Sequence, residues 1–256
     1  MNRRKLRQAL SPWVTAFGFF AIWEVACLAF DIPQSILPSP IDSVRAGIEF
    51  WPVILSASMQ TLYTTLVGFF LALVVGVALG ALVGSSQAMY RATNPLLIGF
   101  NSVPKVAMVP VLVMWFGIGS VPAILTAFLT AFFPILANVA TGIATLEPEL
   151  ADVLRSLGAK RSVILRKVGL PRALPYLFAS LKVAISLAFV GSVIAEMVAS
   201  DGGIGYLLLT ASSSFRVPLV FAALLVVGVL GILMYLIADL IERRSTRWAT
   251  RGGGSL

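Results

Sequence analysis

The sequence predicts an all-α integral membrane protein with six transmembrane helices. Three observations predict it. Of 256 residues, 59% are apolar and 12% are charged, with a mean hydropathy of +0.96. A soluble domain of this size needs far more polar surface, whereas lipid tolerates the excess. Six stretches are long and apolar enough to approach the roughly 20 residues a span requires: 13–30, 58–83, 94–116, 121–146, 174–199 and 218–241. Finally, the basic residues between these stretches fall almost all on one side.

Residues 1–12 carry Arg3, Arg4, Lys5 and Arg7 ahead of the first span. No small-residue cleavage site follows, and Trp23-Glu24 interrupts the run. It reads as a retained first span and not as a signal peptide. Pro33, Pro38, Pro40 and Pro52 then stop the helix and suit an extended crossing or a short surface helix. In the second span Gly76, Gly80 and Gly84 recur every four residues, with Ala72 extending the row. Such a small-residue stripe lets another helix approach closely, in the bundle itself or at a subunit interface.

The third span contains Pro104, Lys105 and Pro110. Prolines inside a helix free carbonyls, which in a membrane must face protein or water. The expectation is a kinked helix whose lysine either lines a cavity or pairs with a carboxylate such as Glu24. Gly117 and Gly119 make a tight reversal into the fourth span. The fifth span holds Lys182 and Glu196, 14 residues and so roughly 21 Å apart on a helix, too far to pair with each other. Ionisable residues inside spans are functional candidates by default. Asp201 to Gly205 reads as a flexible turn before the sixth span.

Fifteen of the 19 Lys and Arg lie at the N-terminus, at Arg91, in the loop between spans four and five, or after span six. The opposite loops hold only Arg45 and Arg216. The positive-inside rule therefore places both termini and the large basic loop in the cytoplasm. This also accounts for the net charge of +8 without nucleic acid, since no basic patch carries interleaved aromatics. One membrane domain is expected over 13–245, with a tail at 246–256 whose last residues, 252–256, read as an artificial linker remnant.

The cytoplasmic loop 147–171 has internal design. Pro148 suits a first helical turn, and Glu147, Glu149 and Asp152 place negative charge at that helix's positive end. Leu150, Val153, Leu154 and Leu157 form one apolar stripe. Gly158 supplies a left-handed stop and Ser162 a second cap. Leu170-Pro171 is expected to end the second helix and lead back to the membrane. The stripe must cover the bundle's underside, the bilayer or a partner's groove, and periodicity does not choose among them.

Other chemistry is missing. There is no His and one Cys, Cys27, within an apolar stretch, so no triad, disulfide or common metal site can be built. No phosphate-cradling Gly-rich loop ending in Lys-Ser/Thr, no Gly-x-Ser-x-Gly elbow and no dinucleotide fingerprint occurs. An enzyme is not expected. A secondary transporter using Glu24, Lys105, Lys182 and Glu196 as a relay is the alternative, though no inverted repeat supports it.

From Asp152 the loop reads Asp-Val-Leu-x3-Gly158-x9-Val168-x-Leu170-Pro171. This resembles the Glu-Ala-Ala-x3-Gly-x9-Ile-x-Leu-Pro loop of permease subunits in binding-protein-dependent ABC importers. Gly158 and Leu170-Pro171 match, while Asp152, Val153, Leu154 and Val168 depart from it. Leu37-Pro38-Ser39-Pro40, Trp115-Phe116-Gly117-Ile118-Gly119, Ala195-Glu196-Met197 and Gly203-Ile204-Gly205 are similar to the nitrate/sulfonate/taurine-type branch.

The resemblance implies the type I importer permease (MetI-like) fold in a bacterial inner membrane. It implies a second permease copy, two ATPase subunits that bind ATP and Mg, and a periplasmic or lipid-anchored binding protein. The permease itself would bind no cofactor. Glu149, Leu150, Asp152, Val153, Leu154, Arg155, Leu157, Gly158, Ala159, Leu170 and Pro171 would make the ATPase contact, with 149–158 as the coupling helix. Pro104, Lys105, Pro110, Lys182 and Glu196 are the pathway candidates. A buried cation at Lys105 suits a sulfonate, nitrate, carboxylate or thiamine-precursor solute.

Overall fold

The computed structural model describes residues 3–145, 156–159, 163 and 165–245. Among them every regular element is helical: α1 (Arg3–Ala29), α2 (Pro40–Glu49), α3 (Trp51–Gly84), α4 (Gln87–Ser102), a 3₁₀ turn (Lys105–Met108), α5 (Val109–Phe116), α6 (Ser120–Ala144), α7 (Leu170–Ala199), α8 (Ile204–Ser213) and α9 (Val217–Ser245).

Four of these, α3, α6, α9 and the 173–199 part of α7, are long and apolar enough to cross a bilayer. α4 and the Lys105–Phe116 segment qualify together as a fifth, but they bend by 74° at their break. α1 is helical over 27 residues, and its apolar part Val14–Ala29 is shorter than a full span. Six crossings are reached only with α1 and the broken pair counted.

α6 is the centre of the bundle, packed along α3 on one side and α7 on the other. The small-residue stripe explains the first contact. A Cβ at Gly80 would stand 2.8 Å from the Leu136 carbonyl oxygen, and one at Gly84 2.6 Å from that of Ala140. At Gly76 it would press on Ile135 at 3.0 Å. The stripe therefore packs the chain's own bundle, where absent side chains let backbones meet. Ala72, Ala127, Ala131, Ala184 and Ala188 continue this close packing and are all buried.

The proline segment 33–52 resolves into α2, a short helix. Ser39 caps it, its Oγ accepting from the Asp42 amide at 3.2 Å, and Pro40 occupies the first turn, where no amide is needed. Cys27 is buried, with its thiol directed at the Leu37 carbonyl 3.7 Å away.

The structure departs from the sequence expectations at three places. The third span is broken and not kinked. Pro104 precedes the 3₁₀ turn and Pro110 sits in the first turn of α5, so neither removes a bond from a helix interior. Leu170-Pro171 ends no helix but opens α7, directly after a π turn over Leu165–Gly169. The segment after Asp201 is not only a turn, because α8 follows it. Phe215, at φ +55, and the return bond from the Arg216 amide to Ala211 O at 2.9 Å then redirect the chain into α9.

Candidate functional site

Intramembrane charges are costly, so each must find compensation. Lys105 finds it at the end of a helix. Its ammonium donates to the Asn101 carbonyl at 2.6 Å and to Asn101 Oδ1 at 3.1 Å. Asn101 is in the last turn of α4, whose final carbonyls have no helical partner. The cation thus caps the negative end of α4 at the break. It also lies 5.3 Å from the centre of the Phe133 ring, which stacks on Phe100 at 5.9 Å. Glu24 is not its partner: that carboxylate accepts from the Ile41 amide at 3.2 Å.

Glu196 shows the mirror arrangement. Its side chain is 1% exposed and takes Thr61 Oγ1 at 2.6 Å, Thr64 Oγ1 at 3.0 Å and the Gly205 amide at 3.2 Å. Gly205 belongs to the first turn of α8, so an anion meets the positive end of a helix. Thr61 also accepts from the Ile204 amide at 2.8 Å, and Thr64 shares a 2.6 Å hydrogen bond with Ser192. The carboxylate binds α3, α7 and α8 into one knot enclosed by protein. Gly203, at φ +91, lies against it so closely that a side chain there would strike the carboxylate. A Cβ at Gly205 would stand 2.8 Å from Glu196 Cβ. The Ala195-Glu196-Met197 and Gly203-Ile204-Gly205 stretches are two halves of one contact.

Lys182 turns to α9. Its ammonium is 3.3 Å from Asp239 Oδ1 and 2.5 Å from Glu242 Oε2, and Asp239 also takes Arg243 Nε at 2.6 Å. The four candidates Glu24, Lys105, Lys182 and Glu196 therefore each have their own partners and form no common relay.

The residues expected at the ATPase contact are a set apart from these charges. Glu149, Leu150, Asp152, Val153, Leu154 and Arg155 lie outside the described residues. Leu157 is 78% exposed, Ala159 is half-buried, and Gly158 has φ +81 with open space around it. That left-handed backbone suits glycine. Gly117 (φ +77) and Gly119 (φ +141) shape the reversal after α5, and the Gly119 amide reaches Ala199 O at 3.0 Å.

Sequence reasoning missed the partners: Asn101 and Phe133, Thr61 and Thr64, Asp239 and Glu242. Two signals pointed to them. Thr61 and Thr64 are hydroxyls three apart on one face of an apolar helix, and Asp239 and Glu242 are carboxylates three apart in the last turns of the next antiparallel span.

Residues 72–247 match the family described as "Binding-protein-dependent transport system inner membrane component". The chain belongs to that family. It is 34% identical over 245 residues to a riboflavin transport system permease protein of Chloroflexus aurantiacus, covering 94% of this chain and 90% of that one. It is 31% identical over 233 residues to a putative aliphatic sulfonates transport permease protein of Bacillus subtilis, covering 89% and 83%. An inward-facing structure of the MetNI methionine ABC transporter superposes with a TM-score of 0.68 at 23% identity, covering 77% of this chain and 98% of that one. That likeness shows the MetI-type fold. The permease is thus a membrane-embedded transport subunit and not an enzyme. It works in an ABC importer with ATPase and substrate-binding protein partners. The ion-coupled alternative has no support.

Proposed function

We propose that this permease pairs with a second copy of itself to form the pathway for a small anionic organic solute, and that Lys105 is the cation the solute meets. The observation that carries the reading is the position of Lys105 at the 74° break in a span. Backbone at such a break is tolerated where it faces protein or a water-filled cavity. Two of the three ammonium donors go to Asn101, which leaves the cation able to meet a sulfonate, nitrate, carboxylate or thiamine-precursor anion. The sulfonate relative supports this class.

The segment 149–158 docks on the ATPase, which holds ATP and Mg, and both termini face the cytoplasm. ATP binding draws the two docking segments together and opens the pathway outward, a two-state change biased by ligand. Lys105→Met, assayed with a panel of sulfonates, nitrate, carboxylates and thiamine precursors, is expected to raise the half-saturating solute concentration about tenfold, which corresponds to one lost charge-assisted contact. Unchanged transport of the true substrate would overturn the assignment. Gly158→Glu and Leu154→Asp are expected to abolish copurification of the ATPase; retention in both would sink the docking assignment.

A further inference from the structure

α7 is the helix by which the cytoplasmic segment enters the bundle, since the π turn Leu165–Gly169 runs into it without a gap. Twelve residues beyond Leu170, Lys182 reaches across to α9 and sits between Asp239 and Glu242. The three side chains are each about one-fifth exposed, at 21%, 18% and 21%. Asp239 is held in turn by Arg243, which is largely exposed. Two cations and two anions therefore close a neutral cluster that ties α7 to α9 at one depth.

Elsewhere the two helices share apolar core. Ala184, Ala188 and Phe189 on α7 join Ala223 and Met234 on α9 in one cluster. Apolar contacts are non-directional, so they fix register through shape alone. A lysine between two carboxylates fixes it by charge as well: displacement by one residue would stretch or break both ion pairs, at a site about one-fifth exposed. The best-attested use of such pairs is to fix register.

We infer that Lys182 is a positioning residue that fixes the register of α7 on α9, so that displacement of the cytoplasmic segment moves both helices and ATP use is tied to solute movement. The inference rests on the proposed reading of 149–158 as the ATPase contact. Without the cluster, motion delivered to α7 is absorbed by slippage, and ATP is hydrolysed without transport.

The test uses the whole transporter, permease with ATPase and binding protein, in proteoliposomes, and reads solute moved per ATP hydrolysed. Lys182→Met is expected to lower that ratio about fivefold or more, with assembly and hydrolysis within twofold of the parent; Lys182→Arg is expected to keep it. Lys182→Glu combined with Glu242→Lys is expected to recover at least half of what Lys182→Glu alone loses. Because Lys182→Met takes the shared cation from both carboxylates, the triple variant Lys182→Met, Asp239→Asn, Glu242→Gln, which leaves only the largely exposed Arg243 charged in the cluster, serves as its companion and is expected to assemble with a low ratio. An unchanged ratio in Lys182→Met or the triple variant, or no recovery in the reversed pair, overturns the inference. Loss of ATPase contact is a separate outcome, read by copurification with the Leu154→Asp chain. Retention there refutes the docking assignment and leaves the α7–α9 ratio as an independent measurement.

Discussion

Replacing Glu196 by alanine tests whether the knot among α3, α7 and α8 is structural. The Gly205 amide would lose its acceptor inside the bundle, at about 1–3 kcal/mol. The two hydroxyls have fallbacks, Thr61 to Ala57 O at 3.2 Å and Thr64 to Thr61 O at 3.0 Å, so their losses are small. The void left by the removed atoms adds on the order of 1–2 kcal/mol. Relief from holding a carboxylate away from water offsets part of this. The net is about 2–3 kcal/mol, or a fall in Tm of about 4–12 °C at the 2–4 °C per kcal/mol typical of chains this long. Glutamine keeps one oxygen for the Gly205 amide and is expected to cost only about 1 kcal/mol. The assay is a thermal melt of purified protein with a thiol-reactive dye, for which the buried Cys27 is the sole target. If alanine melts no lower than glutamine, or both melt with the parent, the knot does not hold these helices.

Further measurements address the packing and the loop. Gly80→Leu must push α6 away from α3, and is expected to cost about 1–3 kcal/mol of overpacking and to lower the same melting temperature. A stable Gly80→Leu variant would contradict the close α3–α6 contact. Gly158 has open space but a left-handed backbone, so Gly158→Asn is expected to keep ATPase copurification, while Gly158→Val strains the turn by about 1–2 kcal/mol and weakens it. Equal copurification of the two would show that φ at this position does not matter.

The all-helical membrane fold was legible because it rests on composition, apolar run length and charge placement, which lipid imposes on the whole chain. The stripe at Gly76, Gly80 and Gly84 was legible for the same kind of reason: its four-residue spacing is a property of one helix. The broken third span was not. Pro104 and Pro110 announce an interruption, but whether a helix kinks or parts depends on tertiary contacts such as that of Lys105 with the end of α4. The partners of Lys182 and Glu196 were legible only as candidates, polar pairs three apart in apolar spans, since they lie on other helices, 57 residues away for Asp239 and 135 for Thr61. A single sequence shows which residues need a partner, and the packing of the bundle decides which one each receives.

α3 runs unbroken for 34 residues, about 51 Å, well beyond the roughly 30 Å hydrocarbon thickness. With α6 pressed along its glycine face and Glu196 holding its N-terminal half through Thr61 and Thr64, it has the proportions of a lever. A tilt of about 5° about one end sweeps the other by roughly 4 Å at that length. A small rotation at one end of such a helix thus becomes, at the other, a displacement on the scale of a small molecule.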